Sequence, residues 1–201
     1  VNLDFFRNTQ KPVGELGGGM AHSIVGTLCL VLIGSFVGIP LGLGTGIYLS
    51  EYGDRERFAR VVRFCLELLA STPSILIVVF VYGLVVVPMK HFSLLSGGLA
   101  LAVILLPLVA RNSEELLRLV PSHLREAGLA LGIPRWKVIL NVVLGSAWPA
   151  VRAALLLGIA RIAGETAPLV FTAFGSPSFA HGLFDPASAL PLQIYTYAIS
   201  P

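Results

Sequence analysis

Long apolar stretches alternate with short polar segments along this sequence. Four stretches are long enough to cross a bilayer as a helix, which takes about 20 residues; they cover approximately residues 23–49, 64–88, 92–110 and 153–174. All four are predicted to be helices, because open sheet edges and irregular backbone cannot face lipid. In the first stretch, Pro40 and several glycines predict a kinked helix that packs closely against its neighbours.

The distribution of basic residues predicts the orientation of these spans. Ten of the fourteen Lys and Arg residues fall within two segments, 50–63 and 111–152. By the positive-inside rule both segments are expected in the cytoplasm, which leaves both ends of the chain outside. Segment 175–201 has no Lys or Arg and contains many Pro and Gly residues, so it is predicted to be an external loop that leads towards a further helix.

The composition supports a membrane protein and argues against most enzyme classes. Of the 201 residues, 55% are hydrophobic and 12% are charged, whereas soluble domains carry about 25% charged residues; the mean hydropathy is +0.84. The four histidines are scattered without metal-ligand spacing, so no metal site is predicted. No Gly-Lys pair is present, so the chain lacks the pattern of a phosphate-binding P-loop. If ATP drives this protein, another chain is expected to bind it.

The long basic segment 111–152 has a predicted structure of its own. SHLREAGLALG is predicted to form a short helix with Leu124, Ala127 and Leu131 on one side. Gly132 and Pro134 predict that this helix stops, because Gly suits a left-handed position and Pro cannot continue the helix. A second helix is predicted to begin at PRWKVILNVVLGSAW, so the segment would protrude from the membrane as a helical hairpin. The alternative is an amphipathic helix that lies on the membrane without a partner.

The fourth apolar stretch carries two opposite charges. GIARIAGETAPLVFTAFG contains Arg161 and Glu165 one helical turn apart, followed by Thr166 and Pro168. Ionisable residues inside membrane segments are rare and usually mark a transport path or a structural ion pair. Pro168 cannot donate a backbone hydrogen bond, which predicts a free carbonyl at Gly164 in a helix that lines water.

The segment from Glu126 to Gly145 resembles the coupling loop of ABC importer permeases. The pattern of that family is Glu-Ala-Ala, three residues, Gly, nine residues, and then Ile-x-Leu-Pro. The matching positions here are Glu126, Ala127, Gly128, Gly132, Val142, Leu144 and Gly145. Gly128, Val142 and Gly145 depart from the pattern, in which Ala, Ile and Pro stand at these positions. Because Gly inside a helix costs roughly 1 kcal/mol relative to Ala, we expect a softer loop.

The chain as a whole is similar to the phosphate-specific permeases of the PstA type. The stretches that carry this similarity are ARIAGETAPLVFTAF, GIYLSEYGDRERFARVVRF, STPSI, EELLRLVPSHLREAGLALG and ALPLQIYTYAISP. The resemblance implies an all-α, polytopic membrane helical bundle of the MetI-like type with six spans. Residues 1–201 would form a single transmembrane permease domain with the second to fifth of these spans and a coupling loop at about 111–152. The sequence starts at Val1 and ends at Pro201, which agrees with the expectation that the first and last spans are missing.

The resemblance also implies a function and a set of partners. The chain would be a multi-pass inner-membrane permease subunit of an ATP-driven importer of inorganic phosphate, and not itself an enzyme. Its partners would be a sister permease subunit, an ATPase dimer that holds the ATP and Mg²⁺, an extracytoplasmic phosphate-binding protein and membrane lipid, with no nucleic acid. Leu124, Ala127 and Leu131 would enter a groove on the ATPase. Glu126 would favour the positive end of the coupling helix, and Gly132 would let the chain reverse.

With phosphate as the expected solute, the charged pair becomes a candidate substrate path. A guanidinium fits two phosphate oxygens at once, and Glu165 would hold Arg161 in place and offset its charge. Arg161 lies about nine residues from Arg152, at roughly 13 Å from the predicted helix end. The hydroxyl residues Ser71, Thr72 and Ser74 lie at a similar distance from Arg63 on the second span, so they are predicted at the same depth. The candidate path therefore consists of Arg161, Glu165, Thr166, Ser71, Thr72 and Ser74.

Other functions remain open at this point. Arg161 and Glu165 could instead form a structural ion pair between helices or subunits. The chain could carry another oxyanion, or it could be a membrane scaffold whose loops only dock a partner. A membrane enzyme with Glu165 as general acid or base is a further alternative. However, no nucleophile–base pair accompanies this residue in the sequence pattern.

Overall fold

The computed structural model describes residues 3–11, 18–53 and 56–199, and this part of the chain is helical almost throughout. A short 3₁₀ turn covers Leu3–Phe6. The helices that follow are α1 (Ala21–Glu51), α2 (Arg57–Ser71), α3 (Ser74–Met89), α4 (Leu94–Arg118), α5 (Ser122–Ala130), α6 (Arg135–Ala163), α7 (Ala167–Thr172) and α8 (Leu190–Ile199). The all-α fold class is thereby confirmed.

Three helices are long and apolar enough to cross a membrane, namely α1, α4 and α6. The pair of α2 and α3 meets the same criteria when both helices are taken together, which makes a broken fourth candidate span. The break falls at Thr72 and Pro73, because a proline disfavours the helical conformation of the residue before it. The predicted second span, 64–88, thus begins inside α2 and crosses this break, whereas the predicted first and third spans lie over α1 and α4.

The predicted fourth span, 153–174, has different bounds in the structure. Helix α6 already begins at Arg135 and ends at Ala163, and α7 is a separate short helix. The predicted span began just after Arg152. The Arg152 guanidinium lies 6.0 Å from the centre of the Trp148 ring, and such cation–π contacts accommodate an arginine on an otherwise apolar helix.

The described chain divides into two compact units. The first unit consists of Val1–Val37, Thr72–Ile104 and Ile159–Pro201, and the second consists of Gly38–Ser71 and Leu105–Gly158. Each contains parts of several helices, because α1, α4 and α6 run from one unit into the other. The first unit holds the predicted charged pair, and the second holds the predicted coupling hairpin.

In the first unit, the segment between α7 and α8 covers the beginning of α4. The amide of Leu94 donates to the carbonyl of Asp185 at 2.8 Å, and that of Leu95 donates to Leu183 at 2.9 Å. The first amides of a helix have no partner within the helix itself. These two hydrogen bonds therefore fasten the connecting segment to α4 and satisfy two such amides.

The same segment approaches the beginning of α1 very closely. The hydroxyls of Ser23 and Ser188 are hydrogen-bonded at 3.0 Å, and the amide of Leu190 donates to Thr27 Oγ1 at 2.8 Å. A Cβ atom placed on Gly26 would lie 1.9 Å from the carbonyl oxygen of Ser188. Only glycine permits this approach, so Gly26 makes the contact between α1 and the segment sterically possible.

The second unit is built on two apolar clusters. One contains Leu117, Val120, Val143, Ala147 and Val151, with Leu124 among the half-buried residues packed against it. The other contains Leu49, Ala59, Leu66 and Ala110. Together they pack the ends of α1 and α4 with α2, α5 and the first part of α6.

Candidate functional site: a charged helix end and a coupling hairpin

Arg161 and Glu165 face each other across the end of α6. Arg161 lies in the last turn of this helix, and the distance from its Nε to Glu165 Oε1 is 4.0 Å. Two backbone hydrogen bonds end the helix. The Gly164 amide donates to the Arg161 carbonyl at 3.1 Å, and the Glu165 amide donates to the Ile162 carbonyl at 3.3 Å. These bonds span three residues rather than four, so they turn the chain at the helix end and keep Glu165 near Arg161.

The two charged side chains differ in exposure. The side chain of Arg161 is 60% exposed and that of Glu165 is 21% exposed. A distance of 4.0 Å is an ion-pair contact but exceeds a hydrogen-bond length. The negative end of the α6 dipole provides a further favourable interaction for the Arg161 cation. Arg161 is thus oriented by electrostatics while a large part of its guanidinium stays accessible.

Pro168 acts differently from the prediction. It was expected to free the Gly164 carbonyl within a continuous span, but α6 ends before Gly164 and Pro168 is the second residue of α7. The missing amide of a proline has no cost there, because the first amides of a helix lack intrahelical partners. Thr166 precedes α7, and its carbonyl accepts hydrogen bonds from the Leu169 and Val170 amides at 3.1 and 3.3 Å.

The depth predicted for Arg161 was counted from Arg152, which is not the beginning of the helix. Arg152 lies inside α6 rather than at its beginning. Measured from Arg135, Arg161 lies about 39 Å along the helix at 1.5 Å per residue, which is longer than a hydrocarbon core of about 30 Å. Arg161 is therefore close to the far end of α6 and not near its middle.

The three predicted hydroxyl residues surround the break between α2 and α3. Ser71 is the last residue of α2, belongs to the second unit and donates a hydrogen bond to the Leu68 carbonyl at 3.1 Å. Thr72 lies in the break and Ser74 begins α3, both half-buried and both in the first unit. The shared depth of these residues and Arg161 stays a prediction. Their place on a common path with Arg161 and Glu165 stays a prediction.

The helical hairpin predicted in segment 111–152 is present. Helix α5 is followed by Gly132 at a φ of 76°. The Gly132 amide donates to the Leu129 carbonyl at 2.9 Å and the Ile133 amide donates to Gly128 at 3.3 Å. This is a Schellman motif, in which glycine takes the left-handed position just past the helix end. The helix stop at Gly132 is confirmed.

The residues predicted on one side of α5 divide between two environments. Leu124 is half-buried and packs against the cluster around Leu117 and Val143, whereas Ala127 is exposed and Leu131 is 80% exposed. Leu124 thus also contributes to the core of the second unit, and its contact with an ATPase stays a prediction. The helical repeat applied to Leu131 fails because α5 ends at Ala130.

Glu126 was expected at the start of the coupling helix. It is the fifth of nine residues in α5 and is exposed. The influence of the helix dipole falls off within the first turn. The dipole argument for Glu126 is therefore wrong, although its carboxylate remains available on the surface.

The structure also contains an ion pair that the sequence analysis missed. Arg125 Nη2 lies 2.7 Å from Glu51 Oε1, and these side chains are only 22% and 5% exposed. They are 74 residues apart in the sequence, so no local pattern indicates the contact. The pair joins α5 to the last residue of α1.

A second charged cluster lies between α2 and α4. Glu114 accepts a hydrogen bond from Arg63 at 2.8 Å and pairs with Arg118 at 3.1 Å. The cluster borders a cavity of about 230 Å³ whose lining includes three arginines and three glutamates: Arg63, Arg111, Arg118, Glu67, Glu114 and Glu115. Several arginines of the predicted cytoplasmic segments are thus held by acidic partners. Within residues 3–11, 18–53 and 56–199, no group of three or more His, Cys, Asp or Glu residues could hold a metal ion.

A solved structure with a similar fold is an inward-facing conformation of the MetNI methionine ABC transporter. The TM-score is 0.75 at 21% sequence identity, and the match covers 90% of this chain and 80% of the other. At this identity the similarity concerns the fold. It confirms the expected MetI-like permease fold.

Sequence relatives match the complete chain. The phosphate transport system permease protein PstA of Xylella fastidiosa (strain 9a5c) is 44% identical over 202 residues, which cover 100% of this chain and 70% of the relative. PstA of Yersinia pestis is 43% identical, with 100% and 68% covered. The resemblance that the sequence motifs indicated is therefore confirmed.

The family model for the binding-protein-dependent transport system inner membrane component matches residues 38–192. This range includes the helical hairpin and the charged end of α6, together with α4, α6 and the broken pair of α2 and α3. The family match also agrees with the apolar composition of the chain and with the fold similarity. The chain belongs to the family of inner membrane components of binding-protein-dependent transport systems.

Proposed function

We propose that this chain is the permease subunit of an ATP-driven importer of inorganic phosphate. The observation that carries the proposal is the match of the whole chain to relatives named as phosphate transport system permeases, at 43% and 44% identity. The family consists of transport components rather than enzymes.

Arg161 supplies the chemistry that an oxyanion needs. Its guanidinium presents several N–H donors in a plane, which can bind two phosphate oxygens at once, and 60% of the side chain is exposed. Glu165 at 4.0 Å offsets part of the positive charge. Phosphate would therefore be attracted by Arg161 without being held too tightly for release, because transport needs both entry and exit.

Thr166 and the hydroxyl residues at the α2–α3 break complete the proposed path. A hydroxyl can donate to a phosphate oxygen while it accepts from water. Thr166 follows Glu165 directly and is half-buried. Ser71, Thr72 and Ser74 are proposed to contribute when phosphate passes the break, where the backbone is not helical.

The coupling hairpin is the proposed contact with an ATPase that binds ATP and Mg²⁺. Its exposed residues Glu126, Ala127 and Leu131 would dock on that ATPase, while Leu124 anchors the hairpin from the inside. Gly132 supports the docking by holding the turn. A sister permease subunit and an external phosphate-binding protein would complete the importer.

The charged pair can be tested by phosphate uptake in cells that lack their own phosphate permease. We expect Arg161→Lys to reduce uptake by at least about tenfold, because an ammonium cannot replace the planar guanidinium at two oxygens. The exchange of charges, Arg161→Glu with Glu165→Arg, is also expected to abolish uptake. The matched control is Arg152→Lys, in which the lysine can keep a cation–π contact with Trp148 and uptake should remain near that of the wild type.

Recovery of the assembled complex must be measured on the same samples. A transport role predicts that the Arg161 variants assemble and fail in uptake. A structural ion pair predicts that Arg161→Lys impairs assembly and uptake together and that the exchanged pair restores both. Full uptake by the exchanged variant would refute a role of Arg161 in the phosphate path.

A further inference from the structure

Arg125 makes an unusual number of contacts for a residue of a nine-residue helix. Its guanidinium donates to the Glu51 carboxylate from Nε at 3.0 Å and from Nη2 at 2.7 Å. It also donates to the carbonyls of Leu117 at 2.9 Å and Val120 at 2.5 Å. One side chain on α5 therefore binds the end of α1 and the end of α4.

The chemistry of these acceptors requires a guanidinium. Glu51 is the last residue of α1, and Leu117 lies in the last turn of α4. Carbonyls at helix C-termini lack intrahelical partners and carry partial negative charge, so a cation there is favourable. Only the planar, multi-donor group of arginine can reach a carboxylate and two carbonyls in different directions, and lysine cannot replace it.

A second arginine binds the same end of α1 from the other side of the hairpin turn. Arg135, the first residue of α6, donates to the Glu51 carbonyl. Its guanidinium also lies 4.4 Å from the centre of the Tyr52 ring. The carboxylate of Glu51 is thus bound by Arg125 and its carbonyl by Arg135, so the hairpin holds this residue from both helices.

Apolar contacts hold α5 on its inner side only. Leu124 packs against the apolar cluster, and a Cβ atom on Gly128 would lie 2.9 Å from Val138 Cγ2. Ala127 in the helix and Leu131 just past its end are exposed. Hydrophobic packing is non-directional, so packing alone would let this short helix slide or rotate, whereas hydrogen bonds from one guanidinium set its orientation.

We propose that Arg125 is a positioning residue that locks α5 to the ends of α1 and α4. This inference rests on the proposed transport function. When the ATPase moves α5, the Arg125 contacts transmit that movement to both helices as one rigid piece. Without Arg125, α5 can still bind the ATPase through its exposed face, but it moves without the helices. ATP hydrolysis is then uncoupled from transport.

The first test measures ATP hydrolysis and phosphate uptake by the purified, reconstituted complex. For Arg125→Met we expect normal assembly and continued ATP hydrolysis. The ATP hydrolysed per phosphate imported should rise roughly tenfold or more, because α5 then moves without the ends of α1 and α4. The matched control is Arg118→Met, which removes an arginine from a more exposed ion pair of the same unit and should leave this ratio unchanged, because such pairs contribute little.

A double-mutant cycle separates the pair from a general loss of structure. Glu51→Gln alone should also raise the ratio, and Glu51→Gln combined with Arg125→Met should have no larger effect than Arg125→Met alone, because residues in one network are not additive. Multiplied effects in the double variant would overturn the proposal. An unchanged ratio for Arg125→Met, or parallel loss of hydrolysis and uptake with intact assembly, would also overturn it.

A distance measurement tests the lock without any solute. Spin labels are placed on Gly44→Cys in α1 and His123→Cys in α5, with Cys29 and Cys65 replaced by alanine. Both labelled positions are exposed and belong to the second unit. We expect a narrow distance distribution with Arg125 present and a broad one in Arg125→Met; equal widths would refute the lock. If the wild type imports no phosphate, the proposed function fails, but this measurement still decides the role of Arg125.

Discussion

Replacement of Gly132 tests whether the turn after α5 controls coupling. Gly132 has a φ of 76°, and a Cβ atom placed on it would meet nothing within 4 Å. The cost of Gly132→Ala is therefore conformational and not steric. A non-glycine residue in this left-handed region costs about 1–2 kcal/mol, so the native turn should become about 5- to 30-fold less favourable against other backbone conformations.

Three substitutions at this position should form a graded series. Asn is tolerated in the left-handed region better than Ala, and β-branched Val is tolerated least. We expect phosphate uptake to fall in the order Gly132→Asn, Gly132→Ala and Gly132→Val, with Val abolishing transport while the protein stays in the membrane. Uptake, membrane content and recovery of the ATPase should be measured together.

Gly145 offers a matched control in the same unit. It lies within helix α6, and a Cβ atom there also meets nothing within 4 Å. Because Ala is favoured over Gly in a helix by roughly 1 kcal/mol, Gly145→Ala should leave uptake unchanged. Equal uptake by the wild type and Gly132→Val would refute the assignment of the hairpin as the coupling element.

Two further predictions concern orientation and the segment between α7 and α8. Orientation can be tested with single cysteines at Arg57, Arg135 and Ser178. An impermeant reagent applied to intact cells should label only position 178. Labelling of positions 57 and 135 with protection of 178 would show the opposite orientation. Gly26→Ala should displace the segment between α7 and α8, since its Cβ atom would lie 1.9 Å from the Ser188 carbonyl oxygen. Increased proteolysis of that segment, with the helices intact, is the expected result, and unchanged proteolysis would contradict the close contact.

The apolar pattern predicts helices well where no charge interrupts it. The first predicted span, 23–49, lies within α1, and the third, 92–110, lies within α4 except for its first two residues. The beginning of α6 was predicted at PRWKVILNVVLGSAW, but its continuation through Arg152 was missed, because 111–152 was separated from the fourth span. Trp148 lies four residues before Arg152 on the same helix, a spacing at which side chains are neighbours, so their contact is local.

In the candidate site, some features follow from neighbouring residues in the sequence, whereas others depend on contacts between distant residues. Gly132 was predicted because its left-handed conformation depends on a local signal, a glycine followed closely by a proline. The contact between Arg125 and Glu51 could not be predicted, since it joins residues that are 74 positions apart. Leu131 was placed on one side of the helix by the helical repeat. It is exposed, but it lies just past the end of α5.

Transport by a reconstituted importer tests the central claim most directly. The permease should be assembled with its sister subunit, the ATPase and the phosphate-binding protein in liposomes, and uptake of radioactive phosphate should be followed with and without ATP. We predict ATP-dependent accumulation of phosphate that excess sulfate does not reduce. ATP-dependent accumulation of sulfate or another solute, with no accumulation of phosphate, would contradict the proposed function.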